Sequence, residues 1–171
     1  RERQRRHRFR TSKLLENCGE PAVTTDGIRI SLQGNIEYAE EIESLLSHGG
    51  EGIGLFRTEY LFMEDLNTPT EEEQLSVYRR VCDEMEPHPV TFRIIDLGGD
   101  KRAEGMEHDL EAENPALGLR GIRLALFEKV ALMTQIRALM RCAADGSVKV
   151  MLPFVTSVRE IREFKELMAK A

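Results

Sequence analysis

The stretch "GIGLFRTEY", Gly52 to Tyr60, ends an apolar run on a charge. Ile53, Gly54, Leu55 and Phe56 are apolar or small, and Arg57 follows without a break. A short buried strand that stops on a guanidinium needs something negative just beyond its end. Reading outward from it, the same unit recurs. "GIRISLQG" (27–34) alternates as a strand does, and 35–50 reads as a helix with Ile36, Ala39, Ile42 and Leu46 on one face and Gly49 and Gly50 as its stop. After the 52–58 strand, residues 70–85 form a helix opened by a Thr70/Glu73 capping box, with Leu75, Tyr78, Val81, Cys82 and Met85 as its apolar stripe. "VTFRIIDL" (90–97) is a third strand. Residues 121–144 are helical, with Met133, Ile136, Met140 and Ala143 aligned. "VKVMLPF" (148–154) is a fourth strand, and 157–171 is a helix opened by Ser157 and Glu160.

Strands alternating with helices predict an α/β fold with a parallel sheet covered by helices. A doubly wound sheet and a (β/α)8 barrel both begin this way. A full barrel needs about 250 residues and eight units. This chain has 171 residues and four units, so as a barrel it is the first half of one.

In either architecture ligands bind at the C-terminal ends of the strands. Arg57 ends the second strand. Arg93 lies in the third, three residues before Asp96, and Arg120 comes at the end of the long loop that follows, which runs roughly from Gly98 to Leu119. Guanidinium forks two donors onto a carboxylate or phosphate. Each arginine alone reads as a salt-bridging residue. Three converging on one rim would repel one another without an anion among them, and this favours a small polyanionic ligand.

Other motifs carry less. "GGEGIG" (49–54) follows a helix and opens a strand, the reverse of a dinucleotide fingerprint, and reads as a helix stop and tight turn. "LGGD" (97–100) follows a strand but is short. His7, His48, His88 and His108 show no metal spacing. "SHGG" (47–50) resembles a phosphoacceptor site, yet His48 falls where a helix C-terminus favours an imidazole. "EHDLEAE" (107–113) could hold a metal or be a solvated loop face. There is no G-x-S-x-G, P-loop or H-E-x-x-H motif.

The composition bounds the rest. The hydrophobic fraction is 41% and the net charge −6. No apolar run is long enough to span a membrane, and no secretion signal is visible. Cys18, Cys82 and Cys142 are odd in number and widely spaced, with no C-x-x-C, which argues against a disulfide framework or a zinc site and fits a reducing cytoplasm. Residues 1–10 hold six arginines and one glutamate, a local charge of +5. Such an arm could meet nucleic acid. The acidic body and the lack of an aromatic platform favour a basic helical linker over residues 1–20 instead. The start at Arg1 predicts a chain cut from something longer.

In order, "GGEGIGLFRTEYLFM", "PTEEEQ", "FRIIDLGGDK", "ENPALGLRGIRLAL" and "VKVMLPFV" resemble the phosphoenolpyruvate-binding domain of the Enzyme I family, the phosphoenolpyruvate–protein phosphotransferases of the bacterial sugar phosphotransferase system. The resemblance runs from about Val23 to Ala171 and makes residues 21–171 the first half of that family's TIM-type barrel. Pyruvate phosphate dikinase and phosphoenolpyruvate synthase share two of the motifs. The resemblance implies that Arg57 and Arg93 grip phosphoenolpyruvate and that Arg120 is a further active-site arginine. It implies a magnesium ion whose Glu and Asp ligands lie on later strands, a phosphorylated histidine on another domain, a histidine phosphocarrier protein as partner, a homodimer, and a cytoplasmic location without nucleic acid or membrane. None of the metal ligands, the proton-donating cysteine or the phosphoacceptor motif is in this sequence, so the chain alone is expected to be inactive. The competing reading is a non-catalytic half-barrel that binds an anion or a partner chain.

Overall fold

A computed structural model describes residues 18–62, 68–96 and 118–171. Four short strands, β1 (Gly34–Ile36), β2 (Ile53–Phe56), β3 (Val90–Arg93) and β4 (Val148–Met151), form one sheet in the order β1-β2-β3-β4. All three pairings are parallel. A doubly wound sheet reverses its strand order at a switch point, whereas a barrel adds each strand to the same edge. The sequential order here is that of a (β/α)8 barrel over four units. Right-handed crossovers in such a sheet place every helix on one face.

The helices are α1 (Ile42–Ser47), α2 (Glu71–Met85), α3 (Ile122–Phe127), α4 (Lys129–Ala143) and α5 (Val158–Met168). Both capping boxes form. Thr70 Oγ1 accepts from the Glu73 amide at 3.3 Å while the Glu73 carboxylate accepts from the Thr70 amide at 2.7 Å. Ser157 and Glu160 repeat the arrangement. The Thr70 backbone and hydroxyl bonds hold the Glu73 carboxyl below its ordinary range. Its contribution to stability is therefore present above the ordinary carboxylate range and is lost as pH falls through the lowered value. At the end of α1, Gly49 takes a φ of 79° and donates to Leu46 O at 3.0 Å, a left-handed stop that suits glycine.

The core lies between sheet and helices. Phe56, Phe92 and Tyr78 are wholly buried, with Phe92 at 5.3 Å from the Phe56 ring and 4.8 Å from the Tyr78 ring. Val90 and Phe92 face the helices. Strand alternation then puts Thr91 and Arg93 on the opposite face, in register with Lys149 and Met151. None of those four is fully buried. In a closed barrel, that is the inward face.

Three expectations need correction. The first strand is Gly34–Ile36, not 27–34. Residues 22–30 fold back on themselves instead: Val23 bridges Arg29 in antiparallel fashion and Ile30 donates to Ala22 O at 2.8 Å. Ile28, Ile30 and Leu32 alternate as read but are exposed. Alternation reports a two-faced strand and not which strand enters the parallel sheet. The helix-forming stretch 35–50 gives up its first residues to β1 and to a 3-10 turn at Ala39–Glu41, and Leu46 is exposed. The 121–144 helix breaks at Glu128, whose ψ of 59° is not helical, with no glycine or proline to announce it. The buried face of α4 is Leu132, Gln135, Ile136, Ala138, Leu139 and Cys142. Of the expected stripe, Ile136 is buried and Met133 packs against the core, whereas Met140 and Ala143 are exposed.

Phe92→Ala should destabilise the chain by about 3–5 kcal/mol, because it opens a cavity under β2 and α2. Ser157→Ala should cost about 1 kcal/mol through the lost cap of α5. Urea unfolding followed by circular dichroism checks both.

Candidate functional site: an arginine rim at the strand ends

Arg57, Arg93 and Arg120 all stand at the C-terminal end of the sheet. Arg93 is the last residue of β3. Its Nη2 and Nε donate to Glu59 Oε1 at 2.7 and 2.9 Å, and its Nη1 lies 3.6 Å from Asp96 Oδ2. Arg120 Nη2 reaches both oxygens of Asp96 at 3.4 Å. Asp96 thus links Arg93 to Arg120. The Asp96 amide in turn donates to Glu59 Oε1 at 3.2 Å. Arg57 leaves β2 with its amide donating to Ile36 O at 3.0 Å, and its Nη1 lies 3.9 Å from Glu37 Oε2, a loose pairing.

The arginines do not repel one another, because the chain supplies its own counter-charges. Glu59 and Asp96, 2% and 5% exposed, interleave with Arg93 and Arg120. Asp96 was visible as the strand-ending residue. Glu59 was not singled out, although its place two residues after Arg57 in "FRTEY" puts it on the same rim.

Three polar atoms on this rim are buried and have no hydrogen-bond partner among the described residues: Arg57 Nε, Arg120 Nε and Glu59 Oε2. A buried guanidinium N–H left unmade is costly. Two of them on one rim mark where an acceptor is wanted. Arg57 also overlooks a hollow of about 250 Å³ bounded by Asn35, Glu37, Tyr38 and Glu41. The Glu41 carboxylate there is occupied by the Glu37 and Tyr38 amides at 2.7 and 3.0 Å, which together with Arg57 hold its carboxyl below the ordinary range.

Arg120 owes its position to its neighbours. Gly121 follows it with a φ of 54°, and a side chain there would meet Pro153 O at 2.9 Å. The Arg120 guanidinium lies 4.2 Å above the Phe154 ring, a cation–π contact. Phe154 itself holds a φ of 56°, a strained conformation for an aromatic residue, and Arg123 Nη1 secures its carbonyl at 3.1 Å.

Beneath the rim runs a buried polar chain. Thr58 Oγ1 donates to Arg93 O at 2.8 Å. Gln135 Nε2 donates to Thr58 Oγ1 at 3.1 Å and to Tyr78 Oη at 3.2 Å, and Gln135 Oε1 accepts from the Ile95 amide at 3.0 Å. Tyr78 Oη donates to Gln74 Oε1 at 3.1 Å. Burial pushes the Tyr78 hydroxyl well above its ordinary pKa, so it stays a neutral donor. This chain fixes α2 and α4 to the exits of β2 and β3.

Other candidates fall elsewhere. His48 caps α1, its Nδ1 2.7 Å from Ser44 O. His88 lies at the opposite end of the sheet, just before β3. His7, the arginine arm, "LGGD", most of the long loop and the "EHDLEAE" stretch with His108 lie outside the described residues. Among the described residues no three His, Cys, Asp or Glu side chains are grouped to hold a metal ion. The two carboxylates nearest the arginines serve the guanidiniums. No helix among the described residues is long and apolar enough to cross a membrane.

The family model described as "PEP-utilising enzyme, PEP-binding domain" matches residues 12–171. A phosphoenolpyruvate-protein phosphotransferase of Cupriavidus necator is 43% identical over the whole chain, which covers 30% of that protein. One of Bacillus subtilis is 40% identical over 87% of the chain and 26% of its own length. A multiphosphoryl transfer protein of Xanthomonas campestris is 42% identical over 88% of the chain and 18% of its own length. The chain therefore spans less than a third of these relatives.

Replacing Gln135 by leucine should leave the Ile95 amide without its acceptor and Thr58 and Tyr78 without their donor. The expected loss is about 1–3 kcal/mol, read from urea midpoints, with Tyr78→Phe costing less because it leaves the Gln135–Thr58 and Gln135–Ile95 bonds in place.

Proposed function

The chain belongs to the phosphoenolpyruvate-binding domain family of the phosphoenolpyruvate-utilising enzymes, and from that premise we propose that it is half of the substrate barrel of a phosphoenolpyruvate–protein phosphotransferase. In the whole protein, the phosphoryl group of phosphoenolpyruvate passes to an enzyme histidine and then to a histidine phosphocarrier protein during sugar uptake. The names of the relatives support this reading over a dikinase or synthase.

The observation that carries the proposal is the pair of buried guanidinium Nε atoms, Arg57 and Arg120, that have no partner among the described residues, on the rim where such sheets bind ligands. Phosphoryl transfer asks mainly for positioning and charge neutralisation. Arg57 and Arg120 supply open donors to the phosphate and carboxylate of the substrate. Arg93, locked by Glu59 and Asp96, contributes a pre-oriented positive charge that need not reorganise. Magnesium, which the family reading includes, neutralises phosphate charge when bound, and its ligands belong to residues beyond this chain. Homodimer formation and a cytoplasmic location belong to the same reading.

A second reading, a non-catalytic module that docks a partner chain, is favoured by Phe127, Val130 and Val158, which are exposed on α3, α4 and α5. Ligand binding separates the two: a docking module shows no phosphoenolpyruvate affinity, whereas the leading reading requires it.

Calorimetric titration with phosphoenolpyruvate tests the leading reading. Arg57→Ala and Arg120→Ala should each weaken binding about ten- to a hundred-fold, the worth of a charged hydrogen bond. Arg93→Ala should act differently, costing about 3–5 kcal/mol of stability by stranding Glu59. Equal phosphoenolpyruvate affinity in the wild type and the Arg57 and Arg120 variants would sink the assignment. With magnesium and carrier protein added, the chain alone should transfer no phosphate, and rapid turnover would overturn the division of labour proposed here.

A further inference from the structure

The opposite end of the sheet holds a feature that phosphoenolpyruvate chemistry does not use. Cys82, near the end of α2, and Cys142, near the end of α4, are 60 positions apart in sequence, yet their sulfurs are 3.3 Å apart. Both are reduced. They open onto a cavity of about 240 Å³ at the N-terminal ends of β3 and β4, which Arg79, Asp83, His88 and Asp145 also line. Cys142 is otherwise buried, and Cys82 is half-buried. The cavity gives a small reagent access to both sulfurs.

We propose that Cys82 and Cys142 form a vicinal dithiol site that a hydroperoxide or a small-molecule disulfide converts reversibly to an intramolecular disulfide joining α2 to α4. A disulfide bond is about 2.05 Å long, so the sulfurs need to close by little more than 1 Å. Two helices already packed against each other can supply that by rotamer adjustment. Cys142 is held below its ordinary range by its hydrogen bond with Cys82 and by the Arg79 guanidinium, so a thiolate is favoured within the pair.

With hydrogen peroxide, the thiolate sulfur of the pair attacks one peroxide oxygen and the O–O bond breaks. Hydroxide leaves and takes up a proton as water, and that cysteine becomes a sulfenic acid. The second sulfur then attacks the sulfenic sulfur, the S–O bond breaks, and the hydroxyl leaves with the second thiol's proton as a second water. Two thiols are oxidised and one peroxide is reduced. The product closes a loop of about 60 residues, which restricts the unfolded chain and raises the melting temperature. Thiols of this kind stay reduced in a glutathione-buffered compartment until an oxidant arrives.

The deciding measurement uses the unaltered chain, because replacing buried Cys142 risks the fold. The chain is treated with hydrogen peroxide or oxidised glutathione, blocked with N-ethylmaleimide, digested and mapped by mass spectrometry. The expected result is a peptide pair linking Cys82 to Cys142, lighter by two hydrogens and released by dithiothreitol, with Cys18 still alkylated. In parallel, phenylarsine oxide, which needs two adjacent thiols, should protect both cysteines from alkylation at one equivalent, and Cys82→Ser should abolish both effects. Recovery of Cys82 and Cys142 as separately alkylated peptides, a link through Cys18, or irreversible sulfinic acid without a linked pair would overturn the proposal.

Discussion

One carboxylate oxygen ties the C-terminal rim together. Glu59 Oε1 accepts from Arg93 Nη2, Arg93 Nε and the Asp96 amide. A carboxylate only 2% exposed is tolerated when it is paired and hydrogen-bonded in this way. The bonds join the segment leaving β2 to the segment leaving β3. They set the direction of the Arg93 side chain and orient Asp96, which then receives Arg120 from more than twenty residues further along the chain. Remove that oxygen and the rim loses one of its two internal counter-charges, and Arg93 loses its shortest ion pair.

The helix layer makes this arrangement rigid. Gln135 sits in an otherwise apolar face of α4 and reaches Thr58, Tyr78 and the Ile95 amide. Thr58 passes the constraint to the Arg93 carbonyl. A buried polar network is stabilising when its members are satisfied and costly when they are not. Here it connects the two longest helices to the two strand exits that carry Arg57 and Arg93. The rim is thereby built on packed elements and not on loops alone, which suits a site that must hold charge without reorganising.

The two ends of the sheet divide the work. The C-terminal end gathers guanidiniums, carboxylates and an aromatic residue in a strained conformation. The N-terminal end gathers the Cys82–Cys142 contact between the same two helices, α2 and α4, that the Gln135 network joins further up. In (β/α) architectures chemistry concentrates at the first end and stability at the second. The thiol pair fits that division, since a bond there would clamp the helix layer while leaving the arginines uncovered.

Much of this was legible in the chain. The capping boxes at Thr70 and Ser157, the stop at Gly49, and the apolar stripe of α2 follow from local chemistry, because each depends on residues within one helical turn. The repeated strand–helix pattern implied a parallel sheet, and Arg57, Arg93 and Arg120 were placed on its rim by counting strand ends. Sequence could not choose between a switched and an unswitched strand order, which depends on long-range pairing. It misplaced the first strand, because alternation at Ile28, Ile30 and Leu32 does not reveal which segment finds a parallel neighbour. It missed Gln135 because a glutamine in a helix reads as solvated until tertiary packing brings Thr58 and Tyr78 to it. Local propensity and periodicity were thus determined by the sequence itself. The burial of Glu59, the sharing of Asp96 between two arginines, and the meeting of Cys82 with Cys142 were decided by the tertiary structure, because each joins residues whose separation in the chain carries no local signal.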